Sequence, residues 1–305
     1  MFGFVFFYTF IFKLFTTKIL KMKILNLYFL TLIIFLFWGC NNNKNGENSN
    51  ESLNIVNENQ YEDIDSDILL PSALQIISIF NKSGLTYVND ITNPTTNITY
   101  YNTKLKKSLN FGIYSADLCY TVTNNQSQEA IKYLNVIKQL LEELGMSNFF
   151  NSDATFKNFE QNIGNQDSMV HTLSIMQKNT DKYLAETNQQ YLNSIYFVGA
   201  WIEGMYLGSK IIKSNNDVLT IRLIEQMYIL NYLLHELNNY PDKNDEYKNL
   251  VKDLTEIKDM YNNFQFIKNA DNLDELNYED IKVTTEEVTK LSSKIEAIRN
   301  KITNK

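Results

Sequence analysis

Tyr191-Leu-Asn-Ser-Ile195-Tyr-Phe-Val-Gly-Ala200-Trp-Ile-Glu-Gly-Met205-Tyr-Leu-Gly-Ser-Lys210-Ile-Ile212 is the stretch on which the reading of the fold turns. Ile195, Phe197, Val198, Trp201, Ile202, Met205, Leu207 and Ile211 point in every direction around a helical axis. A helix that is apolar all round is a buried helix. Ala200, Gly204 and Gly208 recur at steps of four, so they share one stripe and leave room for another backbone to approach. Each glycine costs about 1 kcal/mol of helix propensity against alanine, so two on one stripe call for a packing reason. The same stripe occurs in membrane helices, but Glu203, Lys210 and the polar flanks place this one in a water-soluble core. The expectation is a central helix over about 189–213.

On either side of this helix the apolar period stays near 3.6. Ala130, Leu134, Ile137, Leu141 and Leu144 follow it, with Gly145 as the stop. Leu223, Met227, Leu230, Leu234 and Leu237 repeat it up to Asn238-Asn239-Tyr240-Pro241. Tyr247, Leu250, Leu254, Ile257, Tyr261 and Phe264 form another set, as do Val288, Leu291, Ile295, Ile298 and Ile302. The last is introduced by a capping box of Thr284 and Glu287. Less regular helical stretches fall at roughly 71–82, 98–123, 153–163, 167–187 and 189–213. Sustained alternation is missing; Val88–Thr96 comes nearest and contains Pro94. With ten glycines and three prolines in 305 residues, a turn-dense β-sandwich is excluded. The predicted fold is all-α: one bundle of about eight or nine mostly antiparallel helices over residues 67–305, joined by short connections. No fixed-length repeat supports a solenoid.

The other end of the chain reads as an export signal. Residues 1–39 contain no acid. Met22-Lys23 opens a short basic start, followed by an apolar run from Leu25 to Trp38 and then Gly39-Cys40. Residues 1–21, interrupted by Lys13, Lys18 and Lys21, read as an upstream extension, with Met22 as the initiator and 22–39 as the signal peptide. Phe37-Trp38-Gly39-Cys40 resembles a bacterial lipobox, in which cleavage before the cysteine leaves it to carry acyl chains; Phe37 and Trp38 depart from the usual residues. Cys40 is therefore the expected lipidation site, and several chains on one cysteine make a lasting anchor. Residues 41–66, beginning Asn-Asn-Asn-Lys-Asn-Gly-Glu-Asn-Ser-Asn, are too polar to order themselves and read as a tether. Asn41 stands where an aspartate would signal inner-membrane retention, so the resemblance implies the outer membrane.

Charge narrows the partners. Without residues 1–39 the chain keeps 24 basic and 35 acidic groups, a net charge of −11, which repels nucleic acid and anionic lipid. Its 41 asparagines against two arginines, Arg222 and Arg299, reflect compositional bias rather than chemistry. Cys119, alone once Cys40 is acylated, forms no internal disulfide and reads as a small core residue.

Among residues that carry chemistry, Glu203 stands out. It is mid-helix beside Tyr196, Gly199, Tyr206 and Leu207, and a buried carboxylate must be paired, hydrogen-bonded or protonated. The structural expectation pairs it with tyrosine hydroxyls or a lysine; the functional one makes it an acid or the floor of a pocket. Asp117 shares a stripe with Lys106, Asn110, Thr121 and Asn124, most simply a solvated face. If another helix covers that stripe, Asp117 and Glu203 converge, and two carboxylates suit general acid–base work. Tyr114, Tyr120, Tyr183, Tyr191, Tyr196 and Tyr206 are candidates to line a groove for a sugar or peptide, or simply core tyrosines with a bonded hydroxyl. His171 and His235 fit neither the zinc-protease nor the di-iron pattern, and no phosphate loop, dinucleotide fingerprint or nucleophile elbow occurs. No catalytic set, metal or cofactor follows from the sequence.

Three segments carry a family resemblance: Leu70-Pro71-Ser72, Leu109-Asn110-Phe111-Gly112-Ile113-Tyr114-Ser115-Ala116-Asp117-Leu118, and Gly199-Ala200-Trp201-Ile202-Glu203-Gly204-Met205-Tyr206. Over roughly 67–265 the chain resembles a family of Bacteroidetes-type outer-membrane or periplasmic lipoproteins to which no activity is assigned. The resemblance implies an exported, lipid-anchored, mainly helical protein and transfers no catalytic residue. The expected role is a non-catalytic binding or scaffold module in the cell envelope, with another envelope protein or a small ligand as partner. The alternative is an enzyme or ligand-processing protein using Asp117 and Glu203 between helices.

Overall fold

The computed structural model describes residues 70–146, 154–212, 217–269 and 281–304. The expected signal peptide, Cys40 and tether lie outside these residues. Ten α-helical segments account for most of the described chain: α1 (Ala73–Lys82), α2 (Lys104–Thr123), α3 (Ser127–Glu143), α4 (Ala154–Gln161), α5 (Gln166–Glu186), α6 (Tyr191–Ser209), α7 (Val218–Glu236), α8 (Asp245–Asn262), α9 (Gln265–Lys268) and α10 (Thr285–Thr303). Two 3-10 turns, Thr95–Tyr100 and Leu237–Asn239, complete the set, and no strand occurs among the described residues. The fold is an all-α bundle. None of the described helices is long and apolar enough to cross a membrane.

Side chains at the boundaries explain where the helices begin. Ser72 and Gln75 form a capping box at α1, and Thr284 and Glu287 form the expected one at α10. Thr103, Asn165, Asp217 and Asn244 each accept a hydrogen bond from the backbone of the first turn of α2, α5, α7 and α8. The cap at Thr103 separates α2 from the preceding 3-10 turn, so the single helix expected over 98–123 is divided. Gly145 does stop α3: it takes a positive φ of 78° while its N–H and that of Met146 close back onto Glu142 and Leu141.

The centre is α6, in which every residue from Ser194 to Gly208 is buried. It packs most extensively on α2, and then on α10, α1 and α7. The small residues act differently from the expectation. Gly204 and Gly208 admit side chains rather than a backbone: a Cβ on Gly204 would stand 2.7 Å from Ile76, and one on Gly208 3.0 Å from Leu223. The close backbone approach lies one residue round the helix. A Cβ on Gly199 would stand 1.9 Å from the Leu109 carbonyl oxygen, and one on Gly112 1.9 Å from that of Tyr196 and 2.8 Å from the Ala200 nitrogen. Gly112 and Gly199 are thus the reciprocal notches through which α2 and α6 cross.

Helix α2 is nearly as enclosed as α6. Asn110, Asp117 and Thr121 are fully buried, so their stripe is not the solvated face the sequence suggested. Its cover comes from far away in sequence. Asn110 donates from Nδ2 to the Ile302 carbonyl of α10 at 3.0 Å. The irregular segment 84–103 closes the rest: Tyr120 donates to the Thr86 carbonyl and accepts from the Val88 N–H, both at 2.8 Å.

Candidate functional site

Two of the places that hold carboxylates away from bulk water adjoin α2 and α6. The first lies between α2, α6 and α10. Asp117 reaches it from α2 and Glu203 from α6, and both are fully buried. Arg299 of α10 meets Glu203 with a two-pronged contact, Nε to Oε2 at 2.7 Å and Nη2 to Oε1 at 2.9 Å. The same guanidinium sits 4.1 Å from the centroid of the Tyr206 ring, and its Nη2 is 3.4 Å from the Ile91 carbonyl. Glu203 is therefore partnered neither by tyrosine hydroxyls nor by a lysine, the two partners expected for it. Burial alone would lower the Arg299 pKa, but the adjoining Glu203 charge raises it, so the guanidinium stays charged.

Asp117 completes the cluster. Its Oδ2 accepts from the Asn93 N–H at 3.1 Å, and its carboxyl is within hydrogen-bonding reach of Glu203. Burial first, and then the neighbouring Glu203 charge, push its pKa well above the usual carboxylate range; Arg299 and the Asn93 N–H oppose this only in part. The raised pKa favours the neutral form of Asp117, and its Oδ1, which has no donor facing it, is the atom free to carry the proton. With Asp117 neutral, Glu203 and Arg299 are left as a paired carboxylate and guanidinium.

The tyrosines divide by role. Tyr101 and Tyr114 bring their hydroxyls to 3.3 Å of each other; Asn93 donates to the first at 3.0 Å, and the second donates to the Pro94 carbonyl at 2.9 Å. Tyr114 and Tyr120 thus fasten the 84–103 segment, and Tyr206 backs Arg299. These three are core tyrosines with occupied hydroxyls or faces. Of the six expected groove tyrosines, Tyr191 and Tyr196 line the open cavity.

That cavity is the second place. It measures about 390 Å³ and lies between α2, α5 and α6, with the start of α1 and the end of α7 at its rim. Phe111, Tyr191, Phe197 and Tyr232 supply aromatic wall; Asp181 and Glu236 supply the carboxylates. Among the described residues no lysine, arginine or histidine lines it, and neither do Asp117 or Glu203. Asp181 accepts from Gln177 Nε2 at 2.9 Å, and burial raises its pKa. Neither Asp181 nor Glu236 has an ion pair among the described residues.

Cys119 is buried, and burial, with a lesser push from Asp117, raises its thiol to about 12, which suits a core residue rather than a nucleophile. His171 and His235 are exposed. No group of three metal-binding side chains occurs among the described residues. No family model, curated protein or solved structure matches this chain.

Sequence reasoning missed Arg299 and Asp181. Arg299 had a signal: it falls on the α10 stripe of Ile295, Ile298 and Ile302, four residues after the first and three before the last. An arginine on an apolar stripe, in a chain with only two, implies a buried carboxylate opposite. Asp181 had none, because only the tertiary approach of α6 and α7 turns its side of α5 into a wall.

Proposed function

We propose that this protein is an exported, lipid-anchored component of the cell envelope, held by Cys40 at the outer membrane, whose helical body is a non-catalytic binding module. The observation that carries this reading is the separation of the two carboxylate sites. The pair that could run acid–base chemistry, Asp117 and Glu203, is paired with Arg299 and does not line the open cavity, which carries aromatic rings, amides and carboxylates. Concave, aromatic walls with a few polar groups are how proteins hold small ligands.

The enzyme reading gains one point and lacks another. Asp117 and Glu203 do converge, with one carboxyl raised by burial, as general acid–base work needs. Both are fully buried, which leaves a reacting group no route to them, so the binding module is the better account.

Two measurements test the proposal. Cys40→Ala should abolish labelling by a radioactive fatty acid and release the protein from membranes; labelling that persists removes the lipid anchor. Crosslinking in intact cells should capture a discrete envelope partner or ligand, and a protein that stays uncaptured on every face is no binding module.

A further inference from the structure

We infer that the cavity between α2, α5 and α6 binds a small organic polyamine, a chain of protonated nitrogens on an apolar stem, with Asp181 and Glu236 as its counter-ions. The inference deepens the binding-module reading by naming the ligand class of its open site.

Charge is the first argument. Two carboxylates on different helices line the cavity, and no cation among the described residues accompanies them there. Asp181 is half-buried with the neutral amide of Gln177 as its polar partner, so the site leaves a negative charge under-compensated. Glu236 is the last residue of α7, where the helix's own dipole is negative and adds to the carboxylate. An anionic ligand would meet repulsion from all three, and a neutral sugar would leave the charges unanswered.

The helix N-termini at the rim do not reverse this. The first turn of α1 is closed by its own capping box. At α6 the N–H groups of Leu192 and Asn193 are already bonded to the Gln189 and Gln190 carbonyls at 2.9 Å. Neither end offers a cluster of free donors to an anion.

Shape and surface are the second argument. A volume of about 390 Å³ is in the range of small-ligand sites. Tyr191 lines the cavity as an aromatic group of the kind that attracts an ammonium, while Phe111 and Phe197 can bury methylenes. The protein uses the same chemistry within itself, where Lys210 and Arg299 both approach the Tyr206 ring.

The test is isothermal titration of the purified full chain with spermidine. Saturable one-to-one binding is expected, weakened about tenfold or more by Asp181→Asn and by Glu236→Gln, and unchanged by Asp245→Asn, which alters an exposed carboxylate elsewhere. Ser115→Leu, which fills the cavity without touching either charge, should also abolish it and serves if Asp181→Asn does not fold. The inference falls if no one-to-one binding occurs, if the cavity variants bind as well as the parent, or if cellobiose binds as tightly as spermidine. Should spermidine fail while crosslinking in cells still captures a partner, only the ligand class falls; failure of both removes the binding module as well.

Discussion

Asp117 and Glu203 meet under a cover of backbone, where Arg299 pairs with Glu203; Asp181 and Glu236 line an open cavity with no ion pair among the described residues. The same two helices serve both places, since α2 and α6 carry Asp117 and Glu203 on one side and supply Phe111, Gly112, Phe197 and Ala200 to the cavity on the other. The difference shows what burial demands of a carboxylate. Fully sealed, it calls for a proton or a permanent partner: burial favours the proton on Asp117, and Arg299 partners Glu203. Half-open, it can remain charged against water and await a partner from outside.

The largest blow to this contrast would come from Arg299→Met. It leaves Glu203 and Asp117 buried without a counter-charge, and urea unfolding should show a loss of about 3–5 kcal/mol. A loss under 1 kcal/mol would mean that the cluster is wetter than its burial indicates. Gly199→Ala attacks the crossing of α2 and α6, the two helices common to both places. Its Cβ would fall 1.9 Å from a carbonyl oxygen, and a destabilisation of about 3 kcal/mol is expected by the same measurement.

Asp117→Asn sharpens the comparison instead of breaking it. The amide reproduces the protonated acid, accepting from Asn93 and donating to Glu203. Because the folded-state pKa of Asp117 lies above its unfolded value of about 3.9, the parent loses stability as pH rises from there toward the folded value, by up to about 1.4 kcal/mol per pH unit. The asparagine variant should lack that slope, so its advantage over the parent grows between pH 4 and 7 in thermal melts. Parallel curves would show that Asp117 is ionised in the folded protein. Asp181→Asn should have the smallest effect, within about 0.5 kcal/mol at neutral pH, because the aspartate has no ionic partner to lose. A cost above 2 kcal/mol would assign it a structural role.

The fold was legible because helical periodicity is local. Ile295, Ile298 and Ile302 mark a buried face whatever they pack against, and Thr284 with Glu287 marks a helix start from four consecutive residues. The identity of the partner across a face is not local. Asp117 looked solvated because its cover, α10 and the 84–103 segment, is an irregular loop on one side and a helix some 180 residues away on the other. Glu203 was recognised as buried from its own helix, but its partner could be found only by noticing a charge on the wrong stripe of another. The glycine notches were misplaced by one residue for a similar reason. Gly204 and Gly208 share an obvious stripe, whereas Gly199 needs its counterpart Gly112 on α2 to be seen as a crossing point.

The salt bridge between α6 and α10 also orders events in time. Glu203 and Arg299 are 96 positions apart, so the carboxyl-bearing helices leave the ribosome well before the guanidinium that makes them tolerable to one another in a dry interior. Until α10 docks, the layer formed by α2 and α6 must keep its charged seam hydrated. Arrival of that final helix works as a latch: drying of the seam waits for it, and any chain that ends before Arg299 is left with its innermost charges uncancelled.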